Sequence, residues 1–215
     1  KSFEFGEGIT RENIRFTPSY PRDVLITFEG HEGSILVHRL AVGSSTNIEG
    51  FLKFADGTSW SWWDILVRLK IEGTDGDDSI SGSGASEKIY GYDGNDTING
   101  NNGPDTIYGG NGNDSISANG TIYGEDGDDT IRPNGGNYYV DGGNGNDSII
   151  VDSYGTNSTI VGGKGDDFIS VSKNYWASSS AQTKILYKYN LGDGNDTIQS
   201  SQATNTIEFG EGIRE

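Results

Sequence analysis

The sequence predicts an all-β protein: a right-handed parallel β-roll, which is a flattened solenoid, with a small mostly-β N-terminal flanking module. Three observations predict this fold class. A nine-residue unit recurs through residues 73–170, with an isoleucine or valine near every ninth position. Each unit opens with a glycine-rich stretch, which is typical of a turn. The hydrophobic content of 32% is well below the ~45–50% of ordinary globular domains and fits a thin core.

Residues 1–72 precede the repeats and form the flanking module in our interpretation. They hold 10 acidic residues against 8 basic ones, so this part of the chain is nearly neutral. Alternating apolar residues predict strands around Ile14–Phe16, Val24–Phe28, Ile35–Val37 and Phe51–Phe54. A short helix is predicted over Trp62–Leu69.

The repeated unit divides into a six-residue turn and a three-residue strand. A β-branched residue in each strand would point inward, and two units would complete one coil. The clearest units are GTDGDDSIS (73–81), GYDGNDTIN (91–99), GNNGPDTIY (100–108), GGNGNDSIS (109–117), GEDGDDTIR (124–132), GGNGNDSII (142–150) and GGKGDDFIS (162–170).

Alternate units would stack on the same side of the roll if two units complete one coil. Units that begin at 73, 91, 109, 124, 142 and 162 then share one side, which we call the aspartate side. All six carry glycine at the fourth position: Gly76, Gly94, Gly112, Gly127, Gly145 and Gly165. All six carry aspartate at the sixth position: Asp78, Asp96, Asp114, Asp129, Asp147 and Asp167.

The opposite side, which we call the degenerate side, lacks this regularity. In its first unit Ala85 and Glu87 replace the glycine and the aspartate. Residues 118–123 are three residues short of a unit, which leaves room only for a tight Asn119-Gly120 turn. Asp105 is the one sixth-position aspartate of a regular unit on this side.

The period breaks after Ser170 over an insertion at 171–183. It resumes as KILYKYNLGDGNDTIQ, and the hexapeptide EFGEGI at 208–213 repeats the one at 4–9. We therefore assign 171–215 to the insertion, the final repeat and the start of a next flank, within a longer array.

The acidity of the chain restricts its partners. The formal net charge is -17, and residues 73–170 hold 17 acidic residues against three basic ones. Two carboxylates ~4 Å apart repel by roughly 4 kcal/mol at an effective dielectric constant of ~20, so a row of them requires cations. The same charge argues against nucleic acid or an anionic membrane as partner. No apolar run approaches the ~20 residues that span a bilayer, and the absence of cysteine excludes disulfides and thiolate zinc sites.

The repeated unit resembles the nonapeptide G-G-x-G-x-D-x-U-x of the RTX (repeats-in-toxin) family. The stretches FEFGEGITRENIRF, DVLITF, ILVHRL and IEGFLKFADGTSWSWWDIL resemble the haemolysin-type calcium-binding-related domain that accompanies such repeats, and KILYKYNLGDGNDTIQ resembles their terminal repeat. The resemblance implies a calcium-stapled solenoid. It also implies type I secretion from a Gram-negative bacterium, with folding in external calcium, as part of a toxin, an adhesin or an exoenzyme.

The resemblance assigns the turns of the aspartate side to calcium, which takes six to eight oxygen ligands at ~2.3–2.6 Å. We expect the sixth-position carboxylates to be ligands, with third-position oxygens from Asp75, Asp93, Asn111, Asp126 and Asn144. Backbone carbonyls would come from Gly73, Gly76, Gly91, Gly94, Gly109, Gly112, Gly124, Gly127, Gly142, Gly145 and Gly165. Glycine allows backbone conformations that aim these carbonyls at an ion.

Six stacked loops enclose five gaps, so we expect about five calcium ions on the aspartate side. Asp193 and Asp196, beside Asn195, are candidates for a further ion in the last repeat. A stray ion between Glu87 and Asp105 is left open. Binding and folding would then be one equilibrium.

The leading functional interpretation is a calcium-induced folding module of a secreted protein. The alternative is a segment that recognises a host or surface glycan or protein through Trp60, Trp62 and Trp63, or through the loop at Tyr175. We expect the tryptophans instead to seal the open end of the first coil.

The sequence indicates no enzyme. His31 and His38 lack acidic or nucleophilic companions at a telling spacing. No Ser-His-Asp set, HExxH motif or paired-carboxylate motif stands out from the repeat.

Overall fold

The structure is a computed structural model. It describes residues 3–10, 12–19, 23–30, 32, 34–37, 52–61, 70–82, 84, 86–152, 157–172, 184–201, 205–211 and 213. These residues form strands and turns without a helix, so no described element is a helix that could cross a membrane. The predicted helix at Trp62–Leu69, the histidines, Ala85 and the insertion at 173–183 lie outside the described residues.

The flanking module contains the first six strands: β1 (Phe3–Glu4), β2 (Ile14–Ser19), β3 (Asp23–Phe28), β4 (Ser34–Val37), β5 (Leu52–Lys53) and β6 (Ser59–Trp60). Strands β2, β3 and β4 coincide with three of the predicted strands, and the structure pairs them in an antiparallel sheet. Strand β1 pairs in parallel with β5, which pairs antiparallel with β6.

Aromatic residues hold this module together. The Phe5 ring lies 5.5 Å from that of Phe28 and 5.7 Å from that of Phe54, measured between centroids. The Trp60 ring packs edge-on to that of Phe54 at 5.1 Å and is buried. Trp60 therefore packs within the flanking module. Trp62 and Trp63 lie outside the described residues.

The described residues from Lys70 onward form a roll of two parallel sheets. The eight-stranded sheet contains β7 (Lys70–Glu72), β9 (Lys88–Asp93), β11 (Asp105–Asn111), β13 (Gly120–Asp126), β15 (Tyr139–Asn144), β17 (Asn157–Lys164), β19 (Lys184–Tyr189) and β21 (Asn205–Phe209). The seven-stranded sheet contains β8 (Ser79–Ser81), β10 (Thr97–Asn99), β12 (Ser115–Ala118), β14 (Thr130–Pro133), β16 (Ser148–Val151), β18 (Phe168–Val171) and β20 (Thr197–Ser200). Successive strands alternate between the sheets, so each coil adds one strand to each. The prediction of a parallel β-roll is confirmed.

The core of the roll is a ladder of β-branched residues. Ile98 pairs in register with Ile80 on one neighbouring strand and with Ile116 on the other. Fully buried members are Ile89, Ile107, Ile122, Ile131, Val140, Ile149 and Ile160. Burial of each such side chain contributes about 1.5–3 kcal/mol. The ladder stacks the turns at a fixed spacing and so positions the site.

Candidate metal centre

Seven turns join the eight-stranded sheet to the seven-stranded sheet, all on the aspartate side. They span residues 73–78, 91–96, 109–114, 124–129, 142–147, 162–167 and 191–196. Their fourth-position glycines from Gly94 to Gly165 have φ between +116° and +134°, the left-handed region. A Cβ at Gly94 would also lie 2.5 Å from the carbonyl carbon of Gly76 in the preceding turn. Only glycine therefore permits both the turn and the close stacking.

The sixth-position aspartates form a continuous ladder. The Oδ1 atom of each accepts a hydrogen bond from the backbone N–H of the aspartate one coil earlier. Each N–H donates to the next aspartate along the roll, in the order Asp78, Asp96, Asp114, Asp129, Asp147 and Asp167, with N···O distances of 2.7–2.9 Å. The last bond, from the Asp167 N–H to Asp196, is 3.2 Å long. One oxygen of each carboxylate thus joins adjacent coils.

The second oxygen of the ladder aspartates behaves differently. The Oδ2 atoms of five of them are buried and accept no hydrogen bond from any described residue: Asp96, Asp114, Asp129, Asp147 and Asp167. In the first turn, by contrast, the Asp78 Oδ2 accepts hydrogen bonds from the N–H (2.6 Å) and hydroxyl (2.9 Å) of Thr74. A buried carboxylate oxygen without a partner is costly, so these five atoms require a proton or a cation.

The first-position glycines let these oxygens approach the backbone closely, where a Cβ would collide with them. A Cβ at Gly109 would lie within 3 Å of both the Asp114 Oδ2 and the carbonyl oxygen of Gly124 in the next turn. The same pair of oxygens, one carboxylate and one carbonyl from the next coil, borders Gly73, Gly91, Gly124 and Gly142. These glycines do not have a positive φ. Their role is therefore to permit this close approach. The expectation of unusual backbone angles holds for the fourth-position glycines from Gly94 to Gly165 and does not hold for these first-position glycines.

Burial sets the protonation of the ladder. It is the largest cause that raises the pKa of Asp114 and Asp167 to about 6, of Asp147 to about 7 and of Asp129 to about 8. Hydrogen bonds from backbone N–H groups lower these pKa values, and neighbouring aspartates raise them further. The pKa values of Asp96 and Asp196 are raised by burial as well. Without a cation, the ladder resists full ionisation near neutral pH.

The third-position side chains are exposed and bond mainly to one another. The Asn111 amide donates to Asp93 at 2.6 Å, and the Asn144 amide donates to Asp126 at 2.5 Å. Asp75 is also exposed, whereas Asp193 in the last turn is buried and accepts a hydrogen bond from the backbone N–H of Asn190. Among the described third-position residues, Asp193 is thus the one that lies buried in its turn.

Sequence reasoning missed a second ladder at the fifth position. There the Oδ1 atom of each Asp or Asn accepts a hydrogen bond from the backbone N–H of the next coil at 2.7–2.9 Å, opposite in direction to the first ladder. Its members are Asp77, Asn95, Asn113, Asp128, Asn146, Asp166 and Asn195. The signal was present, because every unit on the aspartate side has Asp or Asn at this position.

The donor set fits a hard cation. No three His, Asp or Glu side chains in the described ranges lie close enough to hold one ion together. The aspartate side instead combines single carboxylates with backbone carbonyls from two coils. Carboxylate and carbonyl oxygens are the ligands that calcium prefers. The unpartnered Oδ2 atoms, together with the carbonyl oxygens of the next coil that lie beside the first-position glycines, therefore fit calcium.

Comparison with known proteins agrees with this geometry. Residues 70–98, 90–120, 119–140, 154–171 and 190–213 match a family model described as RTX calcium-binding nonapeptide repeat (4 copies). No curated protein and no solved structure gave a match. The matched segments cover more than half of the chain, including most of the ladder turns. The chain therefore belongs to the family of RTX calcium-binding nonapeptide repeats and is a calcium-binding β-roll.

Proposed function

We propose that this roll is a calcium-responsive folding module of a secreted protein, namely a toxin, an adhesin or an exoenzyme. The observation that carries the proposal is the row of five buried Oδ2 atoms that accept no hydrogen bond from the described residues. A chain of net charge -17 with a thin core has little other means of holding such a row together.

The turns couple ion binding to folding because oxygens from two coils border each gap between adjacent turns. The Asp129 carboxylate belongs to one coil, whereas the Gly142 carbonyl beside it belongs to the next. Bound calcium supplies the positive charge that offsets the carboxylates. The unfolded chain lacks these paired oxygens, so ions that bind only the folded roll stabilise it by mass action. The six turns from Gly73 to Asp167 enclose five gaps, and a carboxylate oxygen and a carbonyl oxygen of the next coil border each gap, which supports a count of about five ions on the aspartate side.

The calcium requirement supports the proposal that the protein is secreted. Extracellular calcium modules work at about 0.1–1 mM, far above the free calcium of cytosol. A roll of this kind would stay unfolded inside the cell and fold outside it. In this proposal the module has no catalytic role, because its acidic residues are used by the ladders.

Circular dichroism in excess chelator and in millimolar calcium tests the proposal. We expect little β structure in chelator and full β structure in calcium. Magnesium, a divalent cation of the same charge, is the control cation. Equal β content and an equal melting temperature in chelator and in calcium would contradict the proposal.

A recognition segment is the second candidate function, and a row of tyrosines favours it. The rings of Tyr90, Tyr108 and Tyr123 stack on the outer face of the eight-stranded sheet, with centroids 5.0 and 5.1 Å apart. These side chains are half-buried, and tyrosine is common at binding surfaces. A glycan array probed in calcium tests this candidate, and the absence of any bound glycan would count against it.

A further inference from the structure

The last strand of the roll repeats the sequence of the first strand of the flanking module. The hexapeptide EFGEGI stands at 4–9 and again at 208–213. The first copy begins in β1, and the second copy begins in β21. Both strands lie at the edge of their sheets, where β1 neighbours β5 and β21 neighbours β19. The two copies therefore show the same strand in two different pairings.

The two pairings use opposite edges of the repeated strand. In the flanking module the Phe5 N–H donates to the Lys53 carbonyl at 2.9 Å. In the roll the Gly210 N–H donates to the Tyr189 carbonyl at 2.8 Å. Phe209, the residue before Gly210, corresponds to Phe5, and the N–H groups of successive residues in a strand point to opposite edges. The Phe209 N–H therefore points away from β19, to the edge that Phe5 uses in the flanking module.

The apolar side chains of β21 lack the cover that the first copy has. The Phe5 ring is half-buried and packs against those of Phe28 and Phe54, at centroid distances of 5.5 and 5.7 Å. The equivalent Phe209 is 59% exposed, and Ile207 in the same strand is 49% exposed. Large apolar side chains on an unpaired strand edge favour the addition of another strand. The environment of Phe5 shows which kind of strand and aromatic cluster would cover them.

The charges on the two strands are also complementary. Lys53 lies opposite Glu4 in register, and its Nζ atom donates to the Glu4 Oε1 at 3.1 Å. Glu208 is the equivalent of Glu4 in the second copy and is exposed, with Lys188 opposite it on β19. A strand like β5 would place a second lysine on the other edge of Glu208. Exposed ion pairs contribute little to affinity, so this pair would mainly select the register.

We propose that the edge of β21 that faces away from β19 binds a second flanking module of the same kind, through a strand equivalent to Leu52–Lys53. The strand 205–209 would then have the roll on one edge and the module on the other, in one continuous sheet. Phe209 would enter the aromatic cluster of that module as Phe5 does in the first one. The inference goes beyond the proposed function, because it concerns a protein partner and requires only that the roll is folded.

A disulfide cross-link tests this surface, because the chain has no cysteine of its own. The full chain is extended after Ile213 by a second copy of residues 10–72, and it carries Glu208→Cys together with Lys53→Cys in the second copy. Neighbouring strands lie ~4.8 Å apart, within the ~4.4–6.8 Å that a disulfide allows between Cα atoms. In calcium the disulfide should form about tenfold faster than in a control chain with Lys184→Cys, an exposed position on β19, in place of Glu208→Cys.

Cross-linking no faster than in the Lys184→Cys control would overturn the proposal. Hydrogen exchange on the extended chain without cysteines decides the matter if the cysteine variants do not fold. The Phe209 N–H should exchange about tenfold more slowly in the extended chain than in the full chain, because a paired strand protects it. Equal exchange in the two chains would also overturn the proposal. Failure of the proposed function would look different, because the full chain would then fold without calcium and the cross-link would still form.

Discussion

Replacing Asp129 with asparagine separates the free-energy cost of burying its carboxylate from the contribution of that carboxylate to calcium binding. The Asp129 side chain is 1% exposed, and its Oδ1 atom accepts the Asp114 backbone N–H at 2.8 Å. Asparagine retains that acceptor and places an amide nitrogen where the unpartnered Oδ2 lies, close to the Gly142 carbonyl. The ladder is therefore kept, whereas the charge is lost.

The expected effect changes sign with calcium. Burial raises the pKa of Asp129 from 3.8 to about 8. At pH 7 the group is held neutral about three pH units above its ordinary pKa, which costs the metal-free roll about 4 kcal/mol. Asp129→Asn removes this cost and should raise the β content in chelator. In calcium the same variant lacks one charged ligand, and we expect its calcium midpoint to rise at least tenfold, about 1.4 kcal/mol.

Circular dichroism during calcium titration measures both effects in one experiment. Asp128→Asn is the matched control, because Asp128 is an exposed neighbour of the same charge and asparagine occupies its position in other turns, such as Asn113. The control should move the calcium midpoint less than threefold. Equal shifts in the two variants, or a loss of β content in chelator for Asp129→Asn, would refute the reasoning.

Two further predictions follow from the same turns. In chelator the folded roll should be most stable below about pH 4 and should lose stability as the pH rises through about 6–8. The reason is that the raised pKa values of Asp114, Asp129 and Asp147 make the folded state bind more protons than the unfolded chain over this range. A β content in chelator that rises from pH 4 to pH 8 would contradict this prediction. Gly142→Ala should lower the unfolding free energy in calcium by about 2 kcal/mol or more, since its Cβ would collide with the Asp147 Oδ2 and the Gly162 carbonyl. Gly136→Ala, where a Cβ would meet nothing within 4 Å, is the control, and equal melting temperatures for the two variants would count against a spatial role for Gly142.

Three residues other than glycine have a left-handed conformation at the second turn position: Tyr92, Asn101 and Glu125. Tyr92 and Glu125 have φ of 80° and 78°, in positions where Gly110, Gly143 and Gly163 occur in other turns. A left-handed conformation of a residue with a side chain costs of order 1–3 kcal/mol. The Tyr92 ring stacks on Tyr90 at 6.1 Å and its hydroxyl donates to Glu72 at 3.0 Å, which offsets part of this cost.

The periodic features of this protein could be read from the sequence because the solenoid repeats them. A β-branched residue every ninth position specifies which side chain points inward, and alternate units must stack once two units form a coil. The stacking of the turns from Gly73 to Asp167 on one side follows from the number of units per coil alone. The family assignment rests on the same regularity.

The tertiary structure decided which carboxylate oxygens accept hydrogen bonds and which are left without a partner. The partner of Asp129 is the backbone of Asp114 in the adjacent coil, and no local pattern tells which carboxylate oxygen is bonded and which is left without a partner. The same holds for Asp105 and Glu87, which are 18 residues apart and meet only because the coils stack. The sequence by itself determined the period, the charge and the side of the roll that carries the aspartates. The stacking of coils decided the hydrogen bonds and the close approach of carboxylate and carbonyl oxygens, because these depend on atoms that are distant in the chain.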